Sequence, residues 1–87
     1  MPRIEIYTKD FCPYCKMAKD LLASLGQTWE EIDLTVHPGR TQEMLDRSGG
    51  RTTVPEIFID GELIGGYDDL AALHTSGQLS EKLNGAS

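Results

Sequence analysis

Cysteine is scarce in this sequence: there are two, and both fall in one short stretch, Cys12-Pro13-Tyr14-Cys15. None remain elsewhere to build a disulfide framework, which excludes the small secreted folds held by several widely spread staples. Apolar runs extend over only a few residues, far short of the roughly 20 needed to cross a bilayer, so no membrane partner is expected. Positive charge is also thin: 8 Lys and Arg stand against 14 Asp and Glu, for a net charge of −6. A general nucleic-acid binder wants a basic face, so no nucleic-acid partner is expected either. Histidine is limited to His37 and His74, far apart. A C-x-x-C is half of a common zinc site, but the second half is missing here, and no metal is expected.

What is present suits an ordinary globular protein. With 87 residues, 39% hydrophobic and 25% charged, the chain has room for one core, so residues 1–87 are expected to form a single domain. A domain of this size buries about 60–65% of its unfolded surface. Glu5 falls inside what would be the apolar part of a leader, so no secretory signal is expected and a cytoplasmic location is favoured. A loop closed across two intervening residues removes little chain entropy, so stabilisation is a poor reason for the cysteine pair. Redox chemistry is the better one.

The pattern of apolar residues places that pair. Residues 3–7 alternate, with Ile4 and Ile6 on one face and Glu5 and Tyr7 on the other, and read as a strand. A loop follows, then a helix over residues 13–25 with Cys15, Ala18, Leu22 and Leu25 as its apolar stripe and Gly26 as its stop. Residues 28–33 read as a strand and residues 41–48 as a short helix ended by Gly49-Gly50. Strands over 56–59 and 62–64 flank Asp60-Gly61, a hairpin signal. A helix over about 69–75 and a short turn near 80–83 precede a frayed end at 84–87. The order is β-α-β-α-β-β-α: an α/β fold whose first half is a βαβ unit and whose second half is a hairpin plus helix, giving a mixed sheet.

Cys12 therefore falls at a helix N-cap with Pro13 at the first helical position, where the missing N–H costs nothing. The free N–H groups of the first turn and the positive end of the helix dipole favour the thiolate of Cys12 over the thiol, whose free pKa is about 8.5. Cys15 lies one turn further on, on the buried stripe. Cys12 is the nucleophile of this arrangement, and Cys15 is placed to resolve a mixed disulfide on it. Lys9, Lys16 and Lys19 flank the pair. They read either as local positive charge suited to a small anionic partner or as solvated surface lysines.

Three segments, residues 9–15, Thr53-Val54-Pro55 and Gly65-Gly66-Tyr67-Asp68-Asp69, together resemble the signature segments of dithiol glutaredoxins of the bacterial C-P-Y-C type. They occur in the family's order and spacing across nearly the whole chain. C-x-x-C alone would also fit thioredoxins, but those typically carry Gly-Pro between the cysteines. The resemblance implies a thioredoxin-like fold with a four-stranded mixed sheet flanked by helices, and glutathione as co-substrate with no permanently bound cofactor. It implies a cis Val54–Pro55 bond that turns the Val54 backbone towards Cys12, where an extended peptide adds as a short antiparallel strand.

The resemblance further implies that Gly66, Tyr67, Asp68 and Asp69 hold the γ-glutamyl end of glutathione, through backbone N–H groups and an acidic side chain. Tyr14 flanks the Cys12 sulfur. Asp68 or Asp69 also reads as a helix cap. Lys9 and Arg51 are the candidates for the glycine carboxylate, Arg51 being the better fork of donors, with a plain surface charge as its alternative. Tyr67 stands where some bacterial relatives have a third cysteine. Trp29, Phe58 and Leu73 read as core, and Phe11 as core or groove rim.

The implied reaction is reduction of protein disulfides and of protein–glutathione mixed disulfides. The partners are glutathione and disulfide-containing or glutathionylated proteins, and the chain is expected to act as a monomer. Ribonucleotide reductase is a common client of such proteins, though nothing in the sequence selects it. Glutaredoxin potentials of about −200 to −230 mV lie near the cytosolic glutathione poise. The competing expectation is a dimer that binds a [2Fe–2S] cluster through the first cysteine and glutathione. Pro13 and Cys15 argue against it.

Overall fold

The computed structural model describes residues 2–84. Its elements are β1 (Ile4–Thr8), α1 (Pro13–Ser24), β2 (Glu30–Asp33), a 3-10 turn (Pro38–Arg40), α2 (Thr41–Ser48), β3 (Glu56–Ile59), β4 (Glu62–Gly65), α3 (Tyr67–Ser76) and α4 (Gln78–Leu83). Of the frayed end expected at 84–87, Asn84 closes α4 through its N–H on the Ser80 carbonyl at 2.9 Å, and the rest lies outside the described residues.

The four strands form one mixed sheet in the order β2-β1-β3-β4. β1 runs parallel to β2 and antiparallel to β3, and β3 is antiparallel to β4. The hairpin turns at Asp60 (φ 51°) and Gly61 (φ 82°), the paired positive φ that a two-residue connection between twisted strands requires.

Both faces of the two central strands are covered. Ile4, Ile6, Ile57 and Ile59 pack under Ala18 and Leu22 of α1, Leu70 of α3, and Leu79 and Leu83 of α4. Tyr7, Ile32, Leu34 and Phe58 pack with Met44 of α2. Phe58 is fully buried, while Trp29 and Leu73 are only partly buried against the first cluster. Glu5 and Tyr7, on the second face, are therefore as buried as the isoleucines opposite. Arg47 of α2 meets both: its guanidinium donates to Glu5 at 2.9 and 3.1 Å and to the Tyr7 hydroxyl at 2.9 Å. It also stacks 4.1 Å from the centre of the Phe58 ring, while the Tyr7 hydroxyl donates to Glu43.

Three helices differ from the sequence reading. α3 begins at Tyr67 rather than Asp69, because Gly66 is its N-cap and the Asp69 carboxylate accepts the Gly66 N–H at 3.0 Å. The last turn is the six-residue helix α4, set off from α3 by Gly77 (φ 83°). Leu79 and Leu83 lie four apart on one face of it, and burying both favours a longer helix than the local sequence suggests. α1 stops one residue early, where Gly26 (φ 73°) lets its N–H and that of Gln27 take the Ala23 and Leu22 carbonyls at 3.0 Å each.

Candidate active site

β1 delivers the chain into the loop that precedes α1, and the loop ends in Phe11, fully exposed with φ 56°. Phe11 is thus neither core nor part of the cavity lining described below. Cys12 follows as the N-cap of α1 in extended conformation (φ −114°, ψ 97°), with Pro13 at the first helical position. The non-helical backbone at Cys12 brings its Cα to 5.2 Å from that of Cys15, within the range that a disulfide spans, and the two sulfurs are bonded. The Cys15 N–H is directed at the Cys12 sulfur from 3.2 Å. Cys15 is 2% exposed on the buried stripe, whereas Cys12 is half-buried and reachable.

The Val54–Pro55 peptide bond is cis, and the Val54 carbonyl oxygen lies 3.9 Å from the Cys12 sulfur. Next to it is a cavity of about 270 Å³. Tyr14 forms one wall, and Arg51, Thr53, Val54 and Pro55 form the side leading into β3. Gly66, Tyr67, Asp68 and Asp69, at the start of α3, close the far end. The rings of Tyr14 and Tyr67 face each other across it, 6.3 Å between centroids. Nine of the ten glutathione-contact residues expected from the sequence thus line one space beside the cysteines. Lys9 does not: it is exposed in the loop before α1 and outside the lining.

Of the two readings of the flanking lysines, the ion pairs of Lys16 and Lys19 agree with the one that makes them surface residues. Lys16 pairs with Asp20 at 2.7 Å and Lys19 with Glu31 at 3.1 Å, so neither stands as spare positive charge beside Cys12. Arg51 is the cation of the cavity, 3.3 Å from Glu56 and 3.7 Å from Asp69. The two aspartates divide: Asp69 is held by the helix cap, while Asp68 has no ion pair among the described residues. A side chain on Gly65 (φ 117°) would run into the Asp69 carboxylate, so glycine there admits the cap.

Glu56 was not singled out in the sequence. Its carboxyl is completely buried, and among the described residues neither oxygen has a hydrogen-bond partner. Burial pushes its acid above the ordinary range; Arg51 opposes this, Asp69 adds to it, and the Thr53 side chain pulls weakly the other way. The available signal was an acid placed between a proline and the apolar run Ile57-Phe58-Ile59 of a central strand.

Comparison with known proteins agrees with this geometry. The family model described as glutaredoxin matches residues 4–64. Glutaredoxin 3 of Escherichia coli K12 is 51% identical over 83 residues, covering 95% of this chain and 99% of that protein. Among solved structures, the solution structure of glutaredoxin from Brucella melitensis shares 47% identity with a TM-score of 0.76, over 91% of this chain and 85% of that one. The crystal structure of a buckwheat glutaredoxin–glutathione complex has a TM-score of 0.84 at 30% identity, over 95% of this chain and 77% of that one. Among the described residues, no helix is long and apolar enough to cross a membrane.

Proposed function

This chain belongs to the glutaredoxin family, and on that premise we propose how its residues divide the work. It is a glutathione-dependent thiol–disulfide oxidoreductase with glutathione as co-substrate. Cys12 is the attacking thiolate. The observation that carries this is the Cys15 N–H directed at the Cys12 sulfur at the open end of α1: a sulfur in that position is stabilised as an anion and exposed to substrate.

With a glutathionylated protein, Cys12 displaces the protein thiolate and keeps glutathione as a mixed disulfide. A second glutathione thiolate then attacks the glutathione sulfur, releasing oxidised glutathione and the Cys12 thiolate. With a protein disulfide, Cys12 forms a mixed disulfide with one client sulfur. Cys15 attacks Cys12, the client leaves as a dithiol, and the Cys12–Cys15 disulfide remains for two glutathiones to reduce.

Glutathione lies along the Val54 backbone as a short added strand, which aligns its sulfur with Cys12. Its γ-glutamyl carboxylate meets the N–H groups opening α3, at Tyr67 and Asp68, and its ammonium meets the unpaired Asp68. Arg51 takes the glycine carboxylate, with Lys9 as an outlying cation. Tyr14, Thr53, Pro55 and Gly66 shape the cavity, and Asp69 holds its far end in place.

The reading takes the chain as one cytoplasmic, monomeric domain, its clients being disulfide-bonded or glutathionylated proteins. A role on ribonucleotide reductase would have to be tested directly. The cluster-binding dimer is not favoured, since Cys15 sits where it competes for the Cys12 sulfur. Glutathione-coupled turnover of a small glutathione mixed disulfide tests the function: turnover abolished by Cys12→Ser is expected, and undiminished turnover in that variant overturns it.

A further inference from the structure

Glu56 carries a carboxyl that the reaction just described does not use. It is 0% exposed, and among the described residues neither of its oxygens has a hydrogen-bond partner. Buried carboxylates are ordinarily paired and hydrogen-bonded, because taking a bare charge out of water is strongly unfavourable. Among the described residues the one cation against it is Arg51, whose Nε is 3.3 Å away. That guanidinium is shared, since its other end lies 3.7 Å from Asp69. One positive charge thus stands between two carboxylates at the edge of the cavity that it lines.

Among the described residues, the groups around Glu56 leave no second cation to call on. β1 places Tyr7 opposite it in register, but the Tyr7 hydroxyl is engaged by Glu43 and Arg47 of α2. Arg47 itself is committed to Glu5, and Arg40 to Glu43. α3 contributes Asp69, of like sign, and the preceding loop contributes the neutral Thr53.

We propose that Glu56 positions Arg51 over the cavity and takes up one proton from solvent when the glycine carboxylate of glutathione docks on that guanidinium. This rests on the assignment of Arg51 as the glycine-carboxylate contact. A third carboxylate at Arg51 would leave two excess negative charges in a partly desolvated space. Of the two resident carboxylates, Asp69 is half-exposed and is held as the helix cap by the Gly66 N–H. Glu56 is fully buried and has only the shared Arg51 as its ion-pair partner among the described residues, so it is the one that neutralises. The proton cancels the charge brought by the ligand, and Arg51 is released from Glu56 to the newcomer. A neutral or cationic thiol on Cys12 brings no carboxylate and draws no proton.

The test uses the Cys15→Ser chain, with Cys12 carrying either glutathione or cysteamine, a thiol without a carboxylate, as a mixed disulfide. Carbon-13 NMR of labelled glutamate side chains follows the Glu56 carboxyl, assigned by its loss in Glu56→Gln. The Glu56 titration midpoint is expected to lie about one pH unit higher in the glutathione form than in the cysteamine form. In Arg51→Gln that difference is expected to disappear. Equal midpoints in the two forms overturn the proposal, and so does a difference that survives Arg51→Gln.

The exchange equilibrium between glutathione and cysteamine on Cys12 separates the two readings. If Arg51→Gln leaves the preference for glutathione unchanged, the carboxylate contact itself is wrong. If that preference falls while the Glu56 midpoint stays fixed, only the proton uptake is wrong. The same equilibrium should vary with pH in the Cys15→Ser chain and lose that variation once Glu56→Gln is added.

Discussion

The backbone N–H of Cys15 lies 3.2 Å from the sulfur of Cys12, so the residue proposed to resolve also supports the proposed nucleophile through its main chain. That contact belongs to the backbone and survives replacement of the Cys15 side chain. Cys15→Ser is therefore expected to keep the reduction of glutathione mixed disulfides, within about threefold of the parent rate. It should lose the reduction of protein disulfides, which needs the second thiol. Cys12→Ser should lose both. Parallel assays on a small mixed disulfide and a disulfide-bonded protein check this, and loss of deglutathionylation in Cys15→Ser would mean that the roles are misassigned.

The same pair shows what was legible from sequence and what was not. The spacing of Cys12 and Cys15, the helix stop at Gly26 and the turn at Asp60-Gly61 are local, and each is where its neighbours put it. Glu5 was legible only as one half of an alternation. Its burial depends on Arg47, 42 positions away, which no local pattern could supply. The pairing of Lys19 with Glu31 was hidden for the same reason, as was the isolation of Glu56 beside Arg51. Phe11 in a left-handed conformation had no signal, since aromatic residues seldom adopt it.

Asp68 and Asp69 are expected to part company on mutation. Asp69 accepts the Gly66 N–H as the capping residue of α3, so Asp69→Ala should lower stability by about 1 kcal/mol. Asp68 has no partner among the described residues, so Asp68→Ala should leave the melting temperature unchanged. If it meets the ammonium of glutathione, Asp68→Ala raises KM for a glutathione mixed disulfide about three- to tenfold with kcat little altered. Thermal melts and steady-state kinetics on the two variants decide it. The aspartate roles are reversed if Asp68→Ala melts early.

Phe11→Gly is expected to stabilise the fold. The phenyl ring is fully exposed, so nothing is lost from the core, and φ 56° is a conformation that glycine enters freely. Relief of the left-handed backbone, roughly 1–2 kcal/mol, exceeds the added freedom of glycine in the unfolded chain, roughly 0.5–1 kcal/mol. The melting temperature should rise by about 2–6 °C. Turnover of a small mixed disulfide should hold, because Phe11 does not line the cavity. A lower melting temperature would show that the ring makes a contact worth more than the backbone relief.

Glu5 and Glu56 are both buried in the sheet, yet their stabilities should depend on pH with opposite sign. The acid of Glu5 is held below its ordinary 4.5, chiefly by the hydrogen bonds from Arg47. Its contribution is therefore complete above about pH 4.5 and is lost as pH falls through the lowered value. The acid of Glu56 is pushed above 4.5, chiefly by burial. Its ionised form destabilises the fold: that cost is absent below about pH 4.5 and grows as pH rises through the raised value.

Arg47→Met keeps an apolar stem on Phe58 but leaves the Glu5 carboxylate only the exposed Arg3, 3.6 Å away, so it should cost about 2–3 kcal/mol at neutral pH. That cost should shrink on acidification, as Glu5 takes up a proton. Glu56→Gln should instead raise the melting temperature at neutral pH, with the gain fading towards about pH 4.5, where the native side chain is already neutral. Melts of the parent and both variants across the acid-to-neutral range distinguish the cases. A Glu56→Gln effect that is constant with pH would mean that the burial of this carboxyl does not govern its ionisation.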